Sequence, residues 1–169
     1  MEASIIGVQA GSAGSPGQLQ GAFVADSPVG QLYQNSYNGV YGKLSSLPPY
    51  SQTIPMAQSQ EVKEGPVQIM TTVEGEKPRL FDAYIEKVSL SQDEPTKNMV
   101  LRITDPELLE LSGGIVQGMS GSPIIQDGML VGAVTHVFVN DPTRGYGIFA
   151  ENMDNTLLTV AAQTNQNAA

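Results

Sequence analysis

Residues 114–128 read GIVQGMSGSPIIQDG, and the fold turns on how this stretch is interpreted. It places Ser120 and Ser122 in a run of small residues, then a proline, a short apolar segment and an Asp-Gly pair. A serine nucleophile must sit on a tight turn that exposes its hydroxyl, with backbone N–H groups turned toward the developing oxyanion. Gly118-Met119-Ser120-Gly121 suits both needs, because glycine permits backbone angles and close approaches closed to other residues. The N–H groups of Gly118 and Ser120 are the expected pair of oxyanion donors, and Met119 is expected to shape the pocket entrance. The competing reading is a plain turn. G-x-S-x-S-P is not specific by itself, since serines beside glycines fill many turns.

The surroundings extend the pattern in both directions. Downstream, Ile124–Gln126 is a short strand, Asp127-Gly128 a tight hairpin turn, and Met129–Val139 a longer strand. NDPTRG (140–145) reads as a loop, Tyr146–Ala150 as a last strand, Asn152–Ala162 as a helix and TNQNAA as a frayed tail. Upstream, Ala3–Ala10 and Gln20–Ala25 are short strands, and Gln31–Leu44 holds an Asn-Gly hairpin signal. SSLPPYSQTIP is an extended connection, because adjacent prolines exclude a helix. Pro66–Val73, the turn EGEKP, Arg79–Leu90 and Asn98–Ile103 form a meander. Within it Phe81, Ala83 and Ile85 alternate with polar neighbours, as on a half-buried strand. Asp105-Pro106 opens a helical turn, with aspartate at the N-cap and proline at the first helical position.

Composition narrows the classes. With 169 residues and 40% apolar content, the chain can build one ordinary domain or two small halves sharing an interface. Eighteen glycines and eleven prolines favour many short strands and turns, so the expected class is all-β with a short C-terminal helix. A net charge of -9 provides no basic patch for nucleic acid or an anionic membrane surface. No apolar run approaches the roughly 20 residues that span a bilayer. Zero cysteines exclude disulfides, thiol catalysis and cysteine-based zinc sites, and one histidine excludes a histidine-rich metal site. No cofactor is expected. Glu107 and Glu110 lie three apart on one turn and read as solvated, and Arg144 as a surface arginine.

The order of serine loop, short strand, Asp-Gly hairpin, long strand, Gly-Tyr-Gly strand and terminal helix resembles the C-terminal half of chymotrypsin-like proteases. In that family a serine on the strand after the hairpin braces the catalytic aspartate; Thr135 falls at the matching place and His136 at the next, which lines the substrate groove. More narrowly, GGIVQGMSGSPIIQDGMLVGAVTHVFVNDPTRGYGIFAENM (Gly113–Met153) is similar to the stage IV sporulation protein B (SpoIVB) peptidases, and so is ASIIGVQAGSAGSPGQLQGAF upstream. The resemblance implies a chymotrypsin-like double β-barrel over residues 1–162, with a partial first barrel in 1–60 and a second barrel plus helix in 61–162. It implies a serine endopeptidase that cleaves a membrane-associated regulatory protein outside the cytoplasm, between the membranes of the developing spore. Ser120 takes the nucleophile position and Asp105 the aspartate position, although Asp105 also reads as a helix cap. Met119 and Thr135 are assigned to the substrate groove.

The family's catalytic histidine sits in a Gly-His motif upstream of the region matching Ala3, and this sequence contains no such motif. The chain is therefore expected to begin after it, with low activity of its own; a degenerate relative is the other reading. On strand alternation His136 points with Val134 and Phe138, opposite Thr135, and is expected to line the groove rather than transfer the proton. Two alternatives remain beside the peptidase: a non-catalytic module that binds an extended peptide along a strand edge, and a regulatory fragment acting on another protease. An incomplete first barrel also implies exposed strand edges, and with them a dimer or a strand swap.

Overall fold

The computed structural model describes residues 2–46, 53–91 and 93–166, with side chains as far as 163. The proline-rich connection expected at 45–55 falls largely outside the described residues, as do the last three residues of the tail. The chain opens with two antiparallel hairpins, each a separate two-stranded sheet: β1 (Ala3–Gln9) with β2 (Gln18–Phe23), and β3 (Gly30–Ser36) with β4 (Gly39–Leu44). The turn of the second is Tyr37-Asn38, and Gly39 opens β4 opposite Ser36.

The remainder builds a closed barrel of six strands. Its meander is β5 (Gly65–Thr71), β6 (Arg79–Val88) and β7 (Met99–Ile103), followed by the helix α1 (Pro106–Ser112). Then come β8 (Pro123–Gln126), β9 (Met129–Phe138), β10 (Asp141–Phe149) and the C-terminal helix α2 (Ala150–Gln166). Around the barrel the order is β10-β7-β6-β5-β8-β9. Pro55 and Ala57 are bonded to β9, since Ala57 N–H donates to Leu130 O and Leu130 N–H to Pro55 O.

Alternation explains the interior. Phe81, Ala83 and Ile85 on β6 point inward with Ile69, Met99, Leu101, Ile124, Val131 and Phe149, all nearly inaccessible. Burying each large side chain contributes about 1.5–3 kcal/mol before the entropy cost of ordering it. Gly132 allows β9 to lie against β10: a Cβ there would collide with Ile148 O and with the Met99 side chain. The expected NDPTRG loop is instead strand. β10 begins at Asp141, and the turn is only Val139-Asn140. Pro142 is tolerated because the β9–β10 register slips between Asp141 and Gly145, so its missing N–H interrupts no ladder bond. The terminal helix is longer than the sequence suggests, running from Ala150 to Gln166.

Asp105 caps α1. One carboxylate oxygen accepts from Glu107 N–H and Leu108 N–H, both at 3.0 Å, and the other from Asp82 N–H on β6 at 3.2 Å. On the outer face, Glu86 of β6 accepts from Arg144 of β10 and Arg102 of β7, tying three neighbouring strands together. The hydrogen bond from Arg144, and then that from Arg102, holds the Glu86 carboxyl below its ordinary range.

Two outcomes follow. Asp105→Ala should lower unfolding free energy by about 1–2 kcal/mol in denaturant titration, while Asp105→Asn, which keeps the N-cap acceptor and loses only the one facing Asp82 N–H, should lose clearly less. Equal losses would show that the cap is not what Asp105 provides. Because Glu86 is depressed in the folded state, its stabilisation is present above about pH 4.3 and disappears as pH falls through the folded value. The melting temperatures of wild type and Glu86→Gln should therefore differ at neutral pH and converge in acid. A gap that persists unchanged to pH 2 contradicts the ion-pair account.

Candidate active site

The serine loop, residues 113–122, is held from three sides by backbone hydrogen bonds. Ile115 N–H donates to Pro142 O at 2.7 Å, which docks the start of the loop on β10. Gln117 N–H donates to Gly17 O and its carbonyl accepts from Leu19 N–H, which ties the loop to the first hairpin. Gly121 N–H donates to Val134 O and Val134 N–H to Ser122 O, which ties the end of the loop to β9. Three of the five N–H groups from Gly118 to Ser122 are bonded within the protein: Met119 to Val116 O, Gly121 to Val134 O and Ser122 to Met119 O. Those of Gly118 and Ser120 make no hydrogen bond to any described residue. Gly118 has φ +100, a conformation that an L side chain rarely adopts, so glycine is required there.

Ser120 is exposed, and its hydroxyl donates to Thr135 O at 2.8 Å. It lines a pocket of about 410 Å³ with Gly121, Thr135 and His136 on one wall and the tip of the second hairpin, Ser36–Val40, on the other. Between His136–Tyr146 and Val134–Gly147 the register of β9 against β10 slips, leaving Thr135 as the extra residue of a bulge. Bulges re-aim side chains. Val134 is accordingly buried while His136 is exposed, and Thr135 and His136 both face the pocket. The simple alternation expected for His136, with Val134 and opposite Thr135, is corrected by this irregularity.

The proposed site residues are thus placed unequally. Ser120, Thr135 and His136 share one pocket. The Thr135 hydroxyl donates to Thr96 O at 2.8 Å, and the His136 ring lies beside Tyr37 with centroids 6.0 Å apart. Asp105 is not among the pocket residues; both of its carboxylate oxygens are engaged by backbone N–H groups at the start of α1 and on β6. Met119 is corrected more sharply. It is 2% exposed and belongs to the hydrophobic core, because the turn that lifts Ser120 outward directs its neighbour inward. Arg144 is committed to Glu86, and Glu107 to Arg79. The residues that sequence reasoning missed are Tyr37 and its neighbours in the hairpin tip. Asn-Gly marks the turn in the sequence, but nothing local shows that the turn faces Ser120 across a pocket.

The wider comparisons bear on the fold and the family. No curated protein sequence matches closely enough to count as a relative. Among solved structures the chain is similar to Rv3671c from M. tuberculosis H37Rv, a serine-to-alanine mutant in its inactive form. That pair has TM-score 0.56 and 15% identity over 95% of this chain and 86% of the other. A second structure, Rv3671c protease in its inactive form, gives TM-score 0.54 and 14% identity over 94% and 87%. At this identity the likeness establishes the fold: a chymotrypsin-like, mostly-β architecture around a closed barrel. The family model SpoIVB peptidase S55 matches residues 1–154, and the chain, a protease domain by that match, belongs to this peptidase family.

Proposed function

We propose that the chain carries the nucleophilic half of a serine endopeptidase site, with Ser120 as nucleophile and the N–H groups of Gly118 and Ser120 as oxyanion donors. The observation that supports this best is the loop itself: an exposed hydroxyl beside two unbonded N–H groups, on a turn fixed by bonds to both hairpin and barrel. In this reading the Ser120 Oγ leaves Thr135 O and attacks a substrate carbonyl as its proton passes to a general base. The tetrahedral oxygen then takes its charge against the two N–H groups, and collapse expels the amine, which takes up that proton, to leave an acyl-enzyme for water to hydrolyse. Removing one such donor elsewhere costs about 10²–10³ in rate, so the pair is a substantial part of the barrier reduction.

The proton acceptor is assigned elsewhere than His136, the single histidine of the sequence. Its ring sits beside Tyr37 and makes no hydrogen bond to Ser120 among the described residues. His136 and Thr135 then form the groove wall, and Asp105 serves the fold. Without a positioned base the serine stays protonated at neutral pH, so turnover by this chain alone is low. By family, the substrate class is an extended stretch of a membrane-associated regulatory protein, cleaved outside the cytoplasm during sporulation. No helix of the described residues is long and apolar enough to cross a membrane. The alternative, a protease-like module that binds peptide without cutting it, draws support from the resting bond between the Ser120 hydroxyl and a backbone carbonyl instead of a base.

A fluorophosphonate probe separates these readings. Slow stoichiometric labelling located at Ser120 by mass spectrometry, and lost in Ser120→Ala, is the expected result. In His136→Ala the labelling rate should stay within about threefold of wild type; a fall of 100-fold or more would make His136 the base. A folded protein that takes up no label would leave the non-catalytic module as the better description.

A further inference from the structure

The pocket at Ser120 does not end there. At Gly121 and Ala133 it opens into a second hollow of about 390 Å³ between β4, β9 and α2, with Val40 and Met153 as walls of both. Gly121 leaves space where the two meet: a Cβ built there would meet nothing within 4 Å. Beyond it the walls are Met56, Pro123, Leu130 and Leu157, and among the described residues Asp154 is the one charged side chain of the hollow. The Asp154 carboxylate forms no ion pair or hydrogen bond with any described residue. Val40, Met56 and Leu157 are 64%, 45% and 42% exposed, so an apolar occupant would remove much hydrophobic surface from water.

We propose that this hollow sets the sequence preference of the site. An extended polypeptide crossing Ser120 places a leucine-, methionine- or phenylalanine-sized side chain in it, and the adjacent substrate residue is basic or neutral rather than acidic because of Asp154. The assignment rests on the nucleophile reading above and commits to a substrate side chain as the occupant, because the hollow is continuous with the surface that bears Ser120. A concave, mostly apolar lining with one placed charge is the usual build of a side-chain recognition pocket.

Peptide binding tests this without requiring catalysis. The probe is an acetylated, amidated decapeptide with central Lys-Leu in an alanine-serine background, titrated into the whole chain with methyl-labelled methionine and ¹⁵N amides. The Met56 and Met153 methyls and the Gly121 amide should shift, and affinity should fall at least fivefold when the peptide's leucine becomes serine or its lysine becomes glutamate. Leu157→Asp should cause a similar loss, while Leu158→Asp, exposed on the same helix but outside the hollow, should not. A thermal melt confirms that each variant is folded. No binding, equal binding of all three peptides, shifts confined to other surfaces, or an indifferent Leu157→Asp overturns the proposal. So do shifts at the same methyls that appear on concentrating the protein alone, which would assign the hollow to a second copy. Fluorophosphonate labelling is read separately. A labelled Ser120 with no leucine preference removes the hollow and keeps the nucleophile; leucine binding in the hollow with no labelling does the reverse.

Discussion

Closure of the six-stranded barrel depends on β8, a strand of only four residues that is hydrogen-bonded on both sides. Ile124 and Ile125 pair with Ile69 and Gln68 of β5, and the other edge pairs with β9 through the Asp127-Gly128 hairpin. Were β8 to detach, the barrel would become an open sheet with two unsatisfied edges and Ile124 would leave the core. Pro123 is admissible as the first residue of the strand. Since the serine loop runs directly into Pro123, the pairing that closes the barrel also sets where Ser120 stands.

From that constraint the site follows in steps. The hairpin carries β9 back alongside the loop, where Val134 exchanges hydrogen bonds with Gly121 and Ser122. The bulge at Thr135 then interrupts the ladder and presents both Thr135 and His136 to the same pocket. The first hairpin holds Gln117, and the tip of the second forms the opposite wall of the pocket that Ser120 lines. Residues far apart in sequence are thereby gathered around one hydroxyl, which in this resting arrangement donates to a backbone carbonyl. Attack on a substrate requires that bond to break. Its loss is modest, on the order of 1 kcal/mol, and small beside the stabilisation available from two oxyanion donors.

Much of this was readable from sequence where local chemistry decides structure. Alternation at Phe81, Ala83 and Ile85 marked the buried face of β6, Asp127-Gly128 marked the hairpin, and Asp105-Pro106 marked the start of α1. Reading failed where tertiary contacts override local preference. NDPTRG has the composition of a loop, yet it extends β10 because Pro142 lies in a register slip and lends its carbonyl to Ile115. Met119 sits next to the candidate nucleophile but turns into the core, since a tight turn sends neighbouring side chains in opposite directions. Strand alternation could not place His136, because a bulge leaves no mark in one sequence. The approach of Tyr37 is likewise invisible, being set by how the second hairpin packs against α2 and β9.

Whether the Gly118–Ser120 turn is an oxyanion-binding nucleophile loop is decided by a crystal structure of the chain after reaction with diisopropyl fluorophosphate. Phosphorus should be bonded to Ser120 Oγ, with the Thr135 carbonyl released and the phosphoryl oxygen about 2.7–3.1 Å from the N–H groups of Gly118 and Ser120. An adduct on another residue, or a phosphoryl oxygen pointing to solvent with both N–H groups left unengaged, would contradict it.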